Sequence, residues 1–209
     1  LTNGNNELII ANRNGRAVRF NENAIRTMGR TATGVRGMRL DAENDDVIGM
    51  VTVNDADTET VMVVSEQGYG KRSLVQDYRI TNRGGKGVKT MSITDKTGRL
   101  VSIKNVTDDN DLMIINKSGI VIRLSVADVR IMGRATQGVR LINLAKKNDV
   151  IANVCKVMSS ELETTVEEES RAQWANKSEE IKKDTQIDSS AEDKEEAPLV
   201  DFEDDQTEE

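Results

Sequence analysis

A seven-residue segment recurs three times in this chain and decides how it folds. Residues 14–20 read Asn-Gly-Arg-Ala-Val-Arg-Phe, residues 67–73 read Gln-Gly-Tyr-Gly-Lys-Arg-Ser, and residues 118–124 read Ser-Gly-Ile-Val-Ile-Arg-Leu. A Gly-Val dipeptide follows each copy, and both features are offset by 53 and then by 51 residues. A constant period of this length indicates repeated structural units stacked along the chain.

Each repeat contains the signals for four short β-strands. In the first repeat, residues 8–11 form a continuous apolar run, as in a strand covered on both faces. A glycine turn leads to a second strand, and residues 47–53 form the last one. The third strand is predicted around apolar residues that recur in all three repeats, namely Met38 with Leu40, Met91 with Ile93, and Ile142 with Leu144.

Four short strands per repeat of about fifty residues are typical of propeller blades. We therefore predict an all-β, propeller-like domain of four-stranded blades over residues 1–158. The three blades are expected at about 7–54, 59–107 and 111–158.

The charge of the chain is divided between the repeats and the remainder. The 209 residues include 29 Lys and Arg against 36 Asp and Glu, a net charge of −7. Residues 1–158 carry a net charge of +7, and residues 159–209 carry −14 and few apolar groups. We predict that 159–209 is a disordered acidic tail, since it cannot bury enough apolar surface to offset its ordering entropy. A tail of this charge is also a candidate competitor for an anionic ligand of the repeats.

The composition excludes most kinds of catalytic site. With no histidine and one cysteine, the chain has no Ser-His-Asp triad, no Cys-His pair, no His-ligated metal and no internal disulfide. We expect no catalytic residue, metal or cofactor here, and we expect Cys155, which lies in an apolar run, to be a core thiol. No apolar run is long enough to span a membrane. The first residue is Leu, so we expect the chain to be part of a longer protein.

Four positions of the repeat are basic in all three copies. Counted from the glycine of Gly-Val, they are the −15, −8, −4 and +2 columns. The members, column by column, are Arg19, Arg72 and Arg123; Arg26, Arg79 and Arg130; Arg30, Arg83 and Arg134; and Arg36, Lys89 and Arg140.

These columns and Lys86 are the predicted DNA-binding residues. No acidic column accompanies them, so we expect them to lack fixed ion-pair partners and to form a periodic belt of positive charge. Such a belt suits duplex DNA, and a planar guanidinium binds phosphate through two donors. Aromatic residues make up 2% of the chain, which argues against stacking on single strands. A protein-interaction propeller with a basic rim is the alternative.

Three segments resemble the C-terminal domain of bacterial DNA gyrase A: residues 26–40, residues 67–72 and residues 133–139. The resemblance implies a six-bladed β-pinwheel whose blades exchange strands and whose basic rim wraps DNA. It also implies that this chain is the last three blades plus the tail. The equivalent domain of topoisomerase IV is a further alternative, and the regular repeats and long acidic tail favour gyrase.

The resemblance extends to the parent complex. It implies a cytoplasmic, chromosome-associated type II topoisomerase that introduces negative supercoils using ATP, with gyrase B and a second copy of gyrase A as partners. The implied cofactors, ATP and Mg²⁺, bind gyrase B. The family's signature box, Gln-Arg-Arg-Gly-Gly-Lys-Gly, is approached by residues 83–87, and Asn82 stands where the box has Arg. We interpret residues 83–87 as a repeat-equivalent loop that is box-like.

Overall fold

The structure is a computed structural model that describes residues 2–40, 42–144 and 149–159. These belong to one compact unit, Leu1–Leu162. The predicted disorder of the acidic tail concerns residues that lie, apart from Ser159, outside the described part of the chain. Within the described residues, no helix is long and apolar enough to cross a membrane.

The described residues form antiparallel β-sheets, as the sequence predicts. The first sheet has the order β3-β1-β2-β6, the second β7-β4-β5-β10, and the third β11-β8-β9. The strands are β1 (Glu7–Asn12), β2 (Arg16–Asn21), β3 (Val47–Val53), β4 (Thr60–Ser65), β5 (Tyr69–Leu74), β6 (Val88–Lys89), β7 (Leu100–Val106), β8 (Asn110–Asn116), β9 (Val121–Ser125), β10 (Val139–Arg140) and β11 (Ile151–Met158). Short 3-10 helices, Glu22–Ala24 and Val75–Asp77, follow β2 and β5.

Neighbouring blades exchange a strand. β6 belongs to the second repeat but pairs with β2 of the first, where Val88 lies opposite Ala17. β10 belongs to the third repeat and pairs with β5 of the second, where Val139 lies opposite Gly70. The strand exchange that the resemblance implies is therefore present, and it makes each of these two sheets depend on the next repeat for its fourth strand.

The predicted position of the third strand is wrong. The paired residues are those of the Gly-Val segment and not the apolar residues after it, such as Met91. The amides of Thr90 and Met91 both donate to the carbonyl of Gly15, at 2.8 and 3.3 Å, so the chain bends away from the sheet after two residues. In the third repeat, the amides of Leu141 and Ile142 both donate to the carbonyl of Gly68 in the same way. Met91 then packs in the core instead of extending the strand.

The hydrophobic core lies between successive sheets. β4 shows this arrangement because all of its six residues are buried. Val61 and Val63 pack in a cluster shared with the first blade, whereas Met62 and Val64 pack in a cluster shared with the third. Alternate side chains of one strand point to opposite faces of a sheet, so the centre of this strand in the middle blade is apolar at four consecutive positions, 61–64.

Glycine is required where an exchanged strand meets its host. Gly138 has φ of +82°, and a Cβ placed there would lie 2.6 Å from the carbonyl oxygen of Gly70. Gly87 repeats this geometry in the first joint, with φ of +75° and 2.4 Å to the carbonyl oxygen of Ala17. Any side chain would clash with the neighbouring backbone and strain its own.

Cys155 is exposed, contrary to the expectation of a core thiol. It lies in β11, which is the outer strand of its sheet. Val154 points into the core, so the next side chain in the strand points away from it.

Candidate nucleic-acid interface

Two of the four basic columns present exposed side chains in every repeat. The −8 column follows each short 3-10 helix or its counterpart, and the +2 column follows the Gly-Val turn. Their six members, all exposed, are Arg26, Arg79, Arg130, Arg36, Lys89 and Arg140. In the +2 column, Lys89 and Arg140 end the exchanged strands β6 and β10, so the strand exchange places these charges at the joints between blades.

The −15 column contains two buried arginines, Arg19 and Arg72, and one exposed arginine, Arg123. Arg19 is 7% exposed and forms an ion pair with Glu7, to which its Nε donates at 2.7 Å. Its Nη1 also donates to the carbonyls of Val75 and Tyr78 in the second blade, at 2.8 and 3.0 Å. A guanidinium held in this way joins two blades and is not available to phosphate.

The other members of the −15 column also have carboxylate partners. Arg72 is 6% exposed and its Nη1 lies 2.5 Å from Asp108, and Arg123 lies 2.5 Å from Asp111. The expectation that these arginines lack ion-pair partners is therefore wrong. The sequence held a signal for this, because Glu7 and Asp111 occupy equivalent positions of the first and third repeats.

The −4 column is divided. Arg30 is exposed, whereas Arg83 and Arg134 are half-buried and donate to backbone carbonyls of the preceding repeat. The box-like loop that contains Arg83 lies on residues 37–39, where the amide of Gly84 donates to the carbonyl of Gly37 at 2.6 Å. Arg134 makes the matching contacts in the next joint, as expected for a repeat-equivalent loop.

Lys86 lies beside a cleft at the first joint. The cleft holds about 210 Å³ and is also lined by Arg79, Asn82 and the buried Arg19. Its exposed charged residues, Arg79 and Lys86, are cationic, and Val88 of the exchanged strand also lines it. A phosphate group is the kind of ligand that such a lining accepts.

Sequence reasoning missed one buried cation. Lys71 is fully buried, and its Nζ donates to the carbonyl of Gly133 at 2.7 Å and to Ser73 Oγ at 3.3 Å. Burial lowers the pKa of Lys71 to about 8, with Asp77 acting to raise it and Arg134 to lower it. A signal was available, because the equivalent residues of the other repeats are Val18 and Ile122.

Tyr78 is a core residue. It is fully buried, and its hydroxyl lies 2.5 Å from Thr90 Oγ1. Burial raises the pKa of Tyr78 to about 12, which disfavours the phenolate that a nucleophile requires. Tyr69 is a different case, because its ring lies under two cations, Lys96 Nζ at 5.6 Å and Arg140 Cζ at 5.8 Å.

The repeats match a known family over most of their length. The family model described as DNA gyrase C-terminal domain, beta-propeller, matches residues 6–54, 59–107 and 110–154. This chain belongs to that family. The exchanged strands and the exposed basic columns described above are thus features of a gyrase C-terminal domain.

Relatives with known names agree with this assignment. DNA gyrase A of Staphylococcus aureus (strain NCTC 8325 / PS 47) is 45% identical over 169 residues, which cover 81% of this chain and 19% of the relative. The same protein of strain MRSA252 is 45% identical over 170 residues, with the same coverage. The chain therefore spans 19% of the length of these relatives.

Solved structures share the fold. A structure of the DNA gyrase A C-terminal domain superposes with a TM-score of 0.68 and 26% identity, over 75% of this chain and 52% of that one. A crystal structure of the C-terminal domain of DNA topoisomerase IV superposes with a TM-score of 0.71 and 24% identity, over 81% and 53%. At 24% identity, the match to topoisomerase IV supports the fold alone. The 45% identity to the Staphylococcus aureus protein associates the chain with gyrase A.

Proposed function

We propose that this chain is the DNA-binding and DNA-wrapping module of a gyrase A protein. The observation that carries the proposal is the recurrence of the exposed −8 and +2 columns once per blade. Phosphates are also periodic, so a periodic row of guanidinium and ammonium groups engages several of them along one duplex. Affinity is then mainly electrostatic, with little selection of sequence.

Wrapping follows from the arrangement of the blades. Consecutive blades present equivalent cations, and a duplex that contacts all of them must follow the rim. Bending 20 to 30 base pairs costs on the order of 1–6 kcal/mol, which six or more phosphate contacts can offset.

The activity of the complete protein is part of the same proposal. We assign the chain to a cytoplasmic, ATP-dependent type II topoisomerase, with gyrase B and a second copy of gyrase A as partners. ATP and Mg²⁺ are assigned to gyrase B. Within residues 2–40, 42–144 and 149–159, no cluster of three or more carboxylate, thiol or imidazole groups is arranged to hold a metal ion.

The test is the linking number of DNA closed in the presence of the full chain. Nicked plasmid is ligated with the protein bound, the protein is removed, and the topoisomers are separated. Wrapping shifts the linking number, whereas a scaffold for acidic proteins leaves it unchanged. The variant Arg26→Gln, Arg79→Gln, Arg130→Gln is expected to lose most of the shift.

A matched control separates specific contacts from net charge. Lys104→Gln, Lys117→Gln, Lys156→Gln removes the same three charges from positions outside the four columns. It is expected to retain the shift. Equal loss in both triple variants would mean that only the overall field matters, and no shift with the unaltered chain would contradict the proposed function.

A further inference from the structure

One arginine of the second repeat reaches back and joins two separate loops of the first. Arg83 Nε donates to the carbonyl of Ala24 at 3.0 Å, and its Nη1 donates to the carbonyl of Arg36 at 3.2 Å. A guanidinium can do this because its donors diverge in a fixed plane.

The next joint repeats the arrangement with different residues. Arg134 Nε donates to the carbonyl of Asp77 at 3.0 Å, and its Nη1 donates to the carbonyl of Lys89 at 2.7 Å. All three residues are offset by one repeat from their counterparts in the first joint. The same contact at both joints shows that it belongs to the repeat and is not an accident of one loop.

The carbonyls that accept these bonds lie in the segments that carry the exposed cations. Arg36 and Lys89 are themselves members of the +2 column. Ala24 stands two residues before Arg26 of the −8 column, and Asp77 stands in the same relation to the next member. One guanidinium therefore links its own loop to the backbone of both exposed columns of the preceding repeat.

Main-chain bonds at the same joints have the same periodicity. The amide of Arg39 donates to the carbonyl of Gly85 at 2.9 Å, and one repeat later the amide of Ser92 donates to Thr136 at 3.0 Å. In the first joint the amide of Gly84 also donates to the carbonyl of Gly37, at 2.6 Å. The two bonds from each arginine add side-chain contacts at further points of the preceding repeat, beyond the carbonyls that these main-chain bonds hold.

We propose that Arg83 and Arg134 are positioning residues for DNA wrapping. They set the angle between neighbouring blades and so the spacing of the exposed cations, and they act through the backbone of the −8 and +2 columns. This inference rests on the proposed function, and it replaces the sequence-based prediction that these two arginines are phosphate contacts.

The clamp formed by each arginine is tested without DNA, by measuring the distance between two blades. Spin labels are attached to Asn82→Cys and Asp128→Cys in the full chain, with Cys155→Ser removing the native thiol. Arg134→Lys keeps the charge but lacks the planar fork, and we expect the distance distribution to broaden by about 1 Å or more. Arg26→Lys, which changes an exposed guanidinium in the same way, is the control for this measurement without DNA. An unchanged distribution in Arg134→Lys would overturn the clamp.

The effect of the clamp on wrapping is measured by plasmid ligation with the full chain carrying Arg83→Lys and Arg134→Lys. Thermal melting first establishes that the variant is folded. We expect the salt dependence of binding to a duplex too short to span two blades to be unchanged, because no phosphate contact is lost. The linking-number shift is expected to fall by about half or more, because the cations no longer follow a fixed curve.

The outcomes separate the clamp from the proposed function. A full shift in the double lysine variant would contradict the positioning role while leaving DNA wrapping intact. A lower salt dependence would show that the arginines contact phosphate. If the unaltered chain gives no shift, the proposed function fails and the positioning role fails with it, and the label distances alone then report on the clamp.

Discussion

Replacing the buried Lys71 by methionine tests whether this charge destabilises the joint between the second and third blades. Its usual pKa of 10.5 is lowered to about 8, and each pKa unit corresponds to about 1.4 kcal/mol, so the buried charge costs up to about 3 kcal/mol. Methionine fits the site chemically, since Val18 and Ile122 occupy the equivalent positions. The carbonyl of Gly133 keeps its hydrogen bonds from Thr136.

The sign of the pH dependence follows from the lowered pKa. Below pH 8 both folded and unfolded states hold the proton, so the destabilisation is fully present. Between pH 8 and 10.5 the unfolded state binds more protons at Lys71, so the free energy of unfolding of the native chain rises with pH by up to about 3 kcal/mol. Lys71→Met removes this rise.

The assay is urea denaturation of the unaltered chain, Lys71→Met and Lys117→Met at pH 7, 8, 9 and 10. Lys117 is exposed, so its variant should follow the unaltered chain at every pH. The stability of Lys71→Met relative to the unaltered chain should be greatest at pH 7 and decline above pH 8. If the free energies of unfolding of Lys71→Met and of the unaltered chain differ by the same amount at every pH, the reasoning is refuted.

Three further perturbations test the joints, the inward arginines and the tail. Gly138→Ala should lower the free energy of unfolding by about 1–3 kcal/mol in the same urea titration, because its Cβ would lie 2.6 Å from a carbonyl oxygen. Gly133→Ala is the control and should be near neutral, because a Cβ there meets nothing within 4 Å. Arg19→Gln should lower the free energy of unfolding by about 2–4 kcal/mol, because it leaves the largely buried carboxylate of Glu7 unpaired, and it should leave the salt dependence of DNA binding unchanged. Arg26→Gln should leave the melting temperature unchanged and reduce the salt dependence of DNA binding. Deleting residues 160–209, which carry −14, should tighten duplex binding at low salt if they compete for the cations, and equal or weaker affinity by fluorescence anisotropy would exclude competition.

The fold could be predicted from the sequence because its main determinants are local and repeated. The glycine turns recur at a fixed period, and Gly15, Gly68 and Gly119 all adopt positive φ as hairpin turns require. The continuous apolar run of the second repeat became the fully buried strand β4. The third strand was misplaced because its pairing depends on a neighbouring repeat, and residues such as Met91 are apolar for packing between sheets.

The sequence predicted which positions of the candidate site are cationic, but it did not predict which way each side chain points. A column of arginines shows that a cation recurs, and it does not show which way the side chain points. Arg19 turns inward because Glu7 on the paired strand and carbonyls of the next blade satisfy its donors. Arg134 turns toward the preceding blade for the same kind of reason. Glu7 lies on the paired strand of the same hairpin, whereas the carbonyls lie in another repeat and come close only when the repeats pack together.

The most direct test of the account is the salt dependence of duplex binding when the six members of the −8 and +2 columns are replaced by glutamine. Each phosphate contact contributes about 0.9 to the slope of log K against log salt concentration, so the slope should fall by about 5. The same measurement on a variant with Arg19→Gln and Arg72→Gln should show no change in slope. A six-fold variant that retains the original slope would contradict the claim that these exposed cations are the contacts with DNA.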